Sequence, residues 1–254
     1  RKRPPQRDAE ADGVIEGRNA VIEALRAGTA IDKIYLAKGD TDSALGHIAN
    51  TARANGVVVV NADRRKLDEM SRTHAHQGVI AVAAVREYAS IEDIFQRAEE
   101  QGEAPLIVLC DELSDPHNLG AVIRTAECAG AHGVVIPKRR SAGLTAIVAK
   151  TSAGAVSHIP VARVPNLASA MEILKKNNVW IYGTDAAGTS YTDADFTGGT
   201  AFVIGSEGFG MSRLVGEKCD AMLSLPMRGK VNSLNASVAA GIFLYEAVRQ
   251  RLAK

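Results

Sequence analysis

Three short segments in the second half of the chain carry polar residues in settings where polar residues are costly or specially shaped. In NLGAVIRTA, Arg124 follows three apolar residues and lies six positions after Asn118. A guanidinium on a helix that packs against a sheet is expensive unless it faces an anion or a polar cleft, although it can also snorkel to the surface or pair with Glu127. In IGSEGFGMS, the glycines at 205, 208 and 210 let backbone amides approach a ligand closely, and Glu207 among them is a carboxylate able to accept a hydrogen bond or a proton. The other role open to Glu207 is a turn residue beside a helix N-terminus. In LPMRGKVNSLNASVAA, Pro226 and Gly229 shape a loop that delivers Ser233 and Asn235 to the start of the last helix. Capping that helix accounts for one of these two and not obviously for both.

The elements that must position these groups read as alternating strands and helices. From Pro105 onward, PLIVLCDEL, HGVVIPK, SHIPVARV, VWIYGTDAAG, AFVI and AMLSLP are apolar strand-length runs separated by helical periods. Such alternation predicts an α/β domain with a mainly parallel sheet covered on both faces, whose ligands bind at the carboxyl ends of the strands. Two of the three polar segments follow such strands directly. The glycine order G-x-x-G-x-G is not the dinucleotide fingerprint and follows a late strand, which argues against a nicotinamide dehydrogenase. The last helix, SVAAGIFLYEAV, is apolar nearly all round, so part of it is expected to meet another subunit.

The earlier residues divide into a basic tail over 1–13 with little to bury, a compact α/β unit over 14–85, and a joint over 86–104 that begins polar and forms a short amphipathic helix from Ser90 to Glu100. In the α/β unit, the period of VIEGRNAVIEALRAG predicts a helix beginning at Val14, and Asp63 is the expected cap of RRKLDEMSR. A net charge of +1 over 254 residues does not announce nucleic acid, so RNA contacts have to come from local clusters. The candidates are the tail, Arg64-Arg65-Lys66 and Lys138-Arg139-Arg140. Three cysteines without CxxC spacing argue for buried thiols in a reducing cytoplasm and against a disulfide framework or a zinc site. His74 and His76 have no third ligand nearby, and no apolar run reaches the ~20 residues of a membrane span, so neither metal nor membrane is expected.

Together the three segments resemble the motifs of the SpoU (TrmH) family of RNA ribose 2′-O-methyltransferases in the SPOUT superfamily, and the unit ending in HAHQGVIAV resembles an L30e-like RNA-binding domain. The resemblance covers residues 14–252. It implies a deep trefoil knot in the 105–254 domain, a homodimer, ribosomal RNA (23S) as partner, and S-adenosylmethionine as cofactor. It places the donor's adenine against backbone groups around Thr184, Gly205, Leu225, Met227 and Leu234. Catalysis is expected from Arg124, with Glu207 or water taking the proton and Asn118, Ser233 and Asn235 orienting the ribose. A guanidinium is a poor base, so Arg124 is expected to act as a charge placed in advance of the developing alkoxide. Lys138, Arg139 and Arg140 become the expected RNA contacts, with Phe209 and Tyr191 as the available base-stacking platforms. A transfer RNA methyltransferase and a catalytically silent RNA-binding or ribosome-assembly protein are the competing readings.

Overall fold

The structure, a computed structural model, describes residues 13–39, 42–206, 208, 210–231 and 233–253. The tail over 1–13 therefore lies almost wholly outside the described residues. The chain divides into two compact units, one of residues up to 87 together with 143–147, the other of 88–142 and 148–254.

In the first unit the elements run β1 (Val14–Glu16), α1 (Arg18–Arg26), β2 (Ile31–Ala37), α2 (Ser43–Ala54), β3 (Val58–Ala62), α3 (Arg64–Met70) and β4 (Val79–Ala83). The strands form one sheet in the order β1-β4-β2-β3, with β2 and β3 parallel and the other pairs antiparallel. Val21, Leu25, Ile34, Ile48 and Val79 are buried together between α1, α2 and the sheet. The helix expected from Val14 instead begins at Arg18. Gly17, at φ 89°, breaks the period, and Val14–Glu16 pairs with β4 across 60 or more residues, a partner no local pattern reveals. Asp63 occupies the N-cap position of α3 without making the cap hydrogen bond, and pairs with Lys38 at 3.3 Å.

The second unit begins with α4 (Ile91–Gln101), followed by β5 (Leu106–Cys110), α5 (Pro116–Cys128), β6 (Gly133–Pro137) and α6 (Ala146–Thr151). The remainder runs β7 (Val161–Val164), α7 (Leu167–Lys176), β8 (Trp180–Ser190), β9 (Thr200–Ile204), α8 (Arg213–Glu217), β10 (Ala221–Ser224) and α9 (Ala236–Leu252). Within the segment 86–104, expected as a joint carrying a short helix over 90–100, that helix forms as α4 and packs into the second unit. A full capping box between Ser90 and Asp93 starts α4, and Ile91, Ile94 and Ala98 are buried in the core of the second unit. A Cβ at Gly133 would lie 2.4 Å from the Ile94 side chain, so α4 packs directly onto β6.

All six strands are parallel, in the order β10-β8-β9-β5-β6-β7. Strands β5 and β9 are buried along their whole length, the signature of a sheet covered on both faces. From β5 the chain moves outward through β6 and β7, then crosses to β8 and returns to lay β9 beside β5. The direction reverses between β5 and β9, so the crevice above their carboxyl ends is where such a sheet takes a ligand. Helix α5 buries Leu119, Val122, Ile123 and Ala126 against it, each of the larger side chains stabilising the fold by about 1.5–3 kcal/mol.

Helix α9 runs from the carboxyl ends of the strands back to their entrances. At its start Asn235 accepts hydrogen bonds from the backbone of Ser237 and Val238. At its end the Arg251 guanidinium donates to the carbonyls of Ala104, Pro105, Phe196 and Gly198, in the loops that enter β5 and β9. No helix among the described residues is long and apolar enough to cross a membrane.

Candidate active site

The loops leaving the carboxyl ends of β8, β9 and β10 enclose a cavity of about 660 Å³. This is within the roughly 300–1,000 Å³ usual for small-molecule sites. All five residues expected to hold a cofactor line it: Thr184, Gly205, Leu225, Met227 and Leu234. Ser233 and Asn235 line it too, and Phe243 of α9 forms part of its wall, stacked on Phe202 at 5.6 Å between ring centres. The floor is a tight reversal of the glycine loop, in which Ser206 and Gly210 exchange backbone hydrogen bonds of 3.0 and 2.9 Å. Gly205 is required there for space. A Cβ would stand 2.4 Å from the Gly210 carbonyl carbon and 2.6 Å from the Met211 nitrogen. The far end of the loop is tied down by Asp111, a buried carboxylate at the end of β5 that accepts from the Ser212 backbone N–H at 2.6 Å.

A second cavity of about 390 Å³ adjoins the first through Ser206 and is lined by Glu112, Ser114, Asp115, Asn118 and Arg140. Asn118, only 7% exposed on the first turn of α5, accepts a 2.8 Å hydrogen bond from the Asn235 amide. Asp115 caps α5 and Pro116 occupies its first turn, which sets Asn118 at the mouth. Residues 117 positions apart, from the first and third motifs, thus meet between the two cavities. Across the second cavity Arg140 pairs with Glu112 at 2.9 Å, and both have left-handed backbones (φ 56° and 54°).

The remaining expectations are placed as follows. Arg124 is exposed and lines neither cavity; it forms no hydrogen bond or ion pair with a described residue, Glu127 included. Of the placements open to it, it takes the surface one, because the turn of α5 gives the sheet-facing positions to Val122, Ile123 and Ala126. Glu207 and Phe209 lie outside the described residues. Tyr191 is half-buried, edge-on to Phe243 at 6.1 Å, and supports the cavity wall instead of offering an open ring. Lys138 is half-buried and Arg139 exposed beside the paired Arg140. His76 is buried and bonded to Asp68, and no cluster among the described residues could hold a metal. Of the cysteines only Cys110 is fully buried, its thiol pushed up to about 12 by burial and then by Asp111. Cys219 is half-buried, its thiol raised to about 11 chiefly by burial, and Cys128 is exposed.

Three contributors were not anticipated. Asp111 and Ser206 gave no sequence signal beyond being polar at strand ends. Asp185, which directly follows Thr184, is the charged side chain among the described residues lining the larger cavity, and its Oδ1 accepts from the Ala187 N–H.

This arrangement is shared with known proteins. Residues 105–245 match the SpoU rRNA methylase family, and residues 14–89 match a family described as RNA 2′-O ribose methyltransferase substrate binding. The chain belongs to the SpoU rRNA methylase family. YacO of Bacillus subtilis (strain 168), placed by name in the TrmH family of tRNA/rRNA methyltransferases, is 50% identical over 236 residues, which is 92% of this chain and 94% of YacO. Among solved structures, the SpoU methyltransferase AviRb from Streptomyces viridochromogenes, in complex with AdoMet, superposes with a TM-score of 0.61 at 28% identity. The match covers 94% of this chain and 90% of AviRb. An AdoMet-bound rRNA methyltransferase from Sinorhizobium meliloti superposes with a TM-score of 0.57 at 26% identity, over 93% of this chain and 86% of that one.

Proposed function

We propose that this SpoU-family chain transfers a methyl group from S-adenosylmethionine to the ribose 2′-hydroxyl of a guanosine in 23S ribosomal RNA, acting as a homodimer in the cytoplasm. The motifs resemble those of the guanosine-specific enzyme RlmB. The observation that carries the reading is the pair of adjoining cavities, with Ser206 common to both and the Asn118–Asn235 hydrogen bond between them. One cavity suits a donor and the other an acceptor, as a direct transfer between two bound molecules requires.

The residues of the larger cavity fit S-adenosylmethionine. Leu223, Leu225, Leu234 and Phe243 give apolar cover for an adenine, and Gly205 leaves the backbone bare where a side chain would fill the space. When bound, this cofactor supplies an electrophilic sulfonium methyl group. Ser206, Asn118 and Asn235 orient the acceptor ribose beside it, and Ser233 lines the passage. Glu207 or water accepts the hydroxyl proton. Arg124 supplies positive charge to the developing alkoxide and the neighbouring phosphate.

Homodimerisation rests on α9. Val238, Tyr245 and Leu252 recur every seven residues and are 51%, 51% and 82% exposed, an apolar stripe of the kind a second subunit covers. Helix α5 packs on α9 through Thr125 and Gly241, so that subunit would also approach the exposed, unpaired Arg124. The same reading includes the trefoil knot, with the 225–235 segment as part of it. Ribosomal RNA is favoured over transfer RNA because both units of this chain have counterparts in the Sinorhizobium rRNA methyltransferase.

The test is calorimetry with S-adenosylmethionine, followed by tritium transfer from labelled cofactor to 23S rRNA fragments and to transfer RNA, with mapping of the blocked ribose. Binding and a labelled guanosine 2′-oxygen in 23S rRNA are expected. Label in transfer RNA alone would replace the substrate, and absence of cofactor binding would sink the reading. Arg124→Ala should abolish transfer with cofactor affinity retained, and Arg124→Lys should restore part of the rate. Equal loss in both would argue against a simple charge role.

A further inference from the structure

Strand register in the first unit gathers four chain segments at one end of its sheet. Gly17 N–H bonds the Val79 carbonyl, Ala37 N–H that of Gly78, and Lys38 N–H that of Ala62. The exits of β1, β2 and β3 and the entry to β4 therefore lie side by side, carrying Arg18, Lys38, Arg64-Arg65-Lys66 and the loop 71–78.

Among the described residues, the carboxylates at this end are all engaged. Glu16 accepts from the Ser71 and Thr73 hydroxyls and the Arg72 and Thr73 backbone N–H groups; Asp42 pairs with Arg18, Asp63 with Lys38, Glu69 with Arg65, and Asp68 with His76. Arg64 and Lys66 are exposed, and their side chains have no ion-pair or hydrogen-bond partner among the described residues. They occupy the first turn of α3, which holds no acidic residue, where the helix dipole disfavours cations. Folding therefore does not explain them. At the opposite end of the sheet the cations do have a structural explanation. Arg26 and Arg53 sit in the last turns of α1 and α2, where the dipole favours them, and bond Glu23 and Asn50.

The loop 71–78 beside Arg64 and Lys66 is held rigidly. His74 and Gln77 have left-handed backbones (φ 57° and 51°), a strained conformation for residues with a Cβ. Glu16 pins one side. The buried His76 ring bonds Asp68 through Nε2 and accepts the Gly78 N–H at Nδ1, and Gln77 accepts the Arg18 N–H. Arg72, Thr73, His74 and Ala75 are left exposed on a fixed frame.

We propose that this end of the sheet, with Arg64 and Lys66 as phosphate contacts and the 71–78 loop as a shaped edge between backbone strands, is where the first unit docks a folded RNA. Folded RNA is recognised largely through phosphates and shape, which is what exposed cations without a side-chain partner among the described residues provide beside a stiff loop. The inference rests on the methyltransferase reading above and extends it to a surface.

The test uses the full chain and an in vitro 23S rRNA transcript spanning the peptidyl-transferase region, with binding followed by fluorescence anisotropy across a salt series. Arg64→Gln/Lys66→Gln should weaken RNA binding at least tenfold and flatten the log–log salt slope by about 1–2. The KM for RNA should rise while kcat and cofactor affinity stay unchanged. Arg26→Gln/Arg53→Gln, with the same change in net charge, should bind RNA as the parent does. Unchanged binding by the first variant, or equal weakening by the second, overturns the surface while parental methyl transfer leaves the enzyme reading standing. Failure of the parent to transfer methyl at all would fall on that reading instead.

Discussion

Replacing Gly205 by alanine tests the donor cavity at its tightest point. The added methyl would stand 2.4–2.6 Å from the carbonyl carbon and oxygen of Gly210 and the nitrogen of Met211, all backbone atoms that no rotamer change can move aside. The glycine loop must therefore open, and the reciprocal Ser206–Gly210 hydrogen bonds are the contacts placed to break. At about 0.5–1.5 kcal/mol each, their loss amounts to roughly 1–3 kcal/mol. If that cost falls on the binding-competent loop, S-adenosylmethionine should bind about 5- to 150-fold more weakly. Calorimetry on the folded variant measures this directly. Two other glycines calibrate it. Gly216→Ala, on α8 with open space around the new methyl, should leave affinity unchanged and stabilise the helix by roughly 0.5–1 kcal/mol. Gly208→Ala meets no atom but keeps φ at 85°, so it reports strain of about 1–2 kcal/mol without a clash. A Gly205→Ala protein that binds the cofactor within twofold of the parent would show that the loop's closure has no part in holding the donor.

Asn235→Asp keeps the oxygen that caps α9 but loses the amide that bonds Asn118, so it should melt above Asn235→Ala yet transfer methyl no faster; a cycle with Asn118→Ala should give a coupling of about 0.5–1.5 kcal/mol. The hydrogen bond from Arg249, against the cost of burial and with help from Gln250, holds the Glu246 carboxyl at about 2, below its ordinary 4.5. A depressed carboxyl stabilises the fold above its unfolded value and ceases to as pH falls through the folded one. Glu246→Gln should therefore melt below the parent at pH 7, and the gap should shrink between about pH 4.5 and 2; a gap constant across that range would refute the assignment. Arg251→Met takes one donor from each of four carbonyls, of which Pro105, Phe196 and Gly198 keep Thr200, and should cost about 1–3 kcal/mol in urea unfolding, against little for the exposed Arg139→Met.

The sequence disclosed what is local. Apolar runs broken by helical periods gave the parallel sheet and the glycine loops marked strand ends, whereas the five expected donor contacts that line one cavity came from the family resemblance and not from a local pattern. What depended on distant partners was hidden. Val14–Glu16 carries an apolar period suited to a helix and becomes a strand because β4 lies alongside. The spacing of Ile91, Ile94 and Ala98 showed an amphipathic α4 but not that β6 would be its floor. Asp111 holds a backbone N–H 101 positions away, a pairing that neither residue announces. The apolar neighbours of Arg124 left a polar cleft and the surface both open to it, because helical geometry, not neighbourhood, decides which face a residue takes.

Helix α9 joins the chemistry to the back of the sheet. Its seventeen residues reach about 25 Å, from the asparagine at the junction of the two cavities to the arginine that gathers the entrances of β5 and β9. Those two strands also carry, at their other ends, Asp111 and the glycine reversal. A defect at the last turn of α9 is therefore expected to reach, through α9, β5 and β9, the cavity proposed to hold the methyl donor. Shortening the chain by four residues, at a site remote from any ligand, should loosen the grip on the donor before it unfolds the protein.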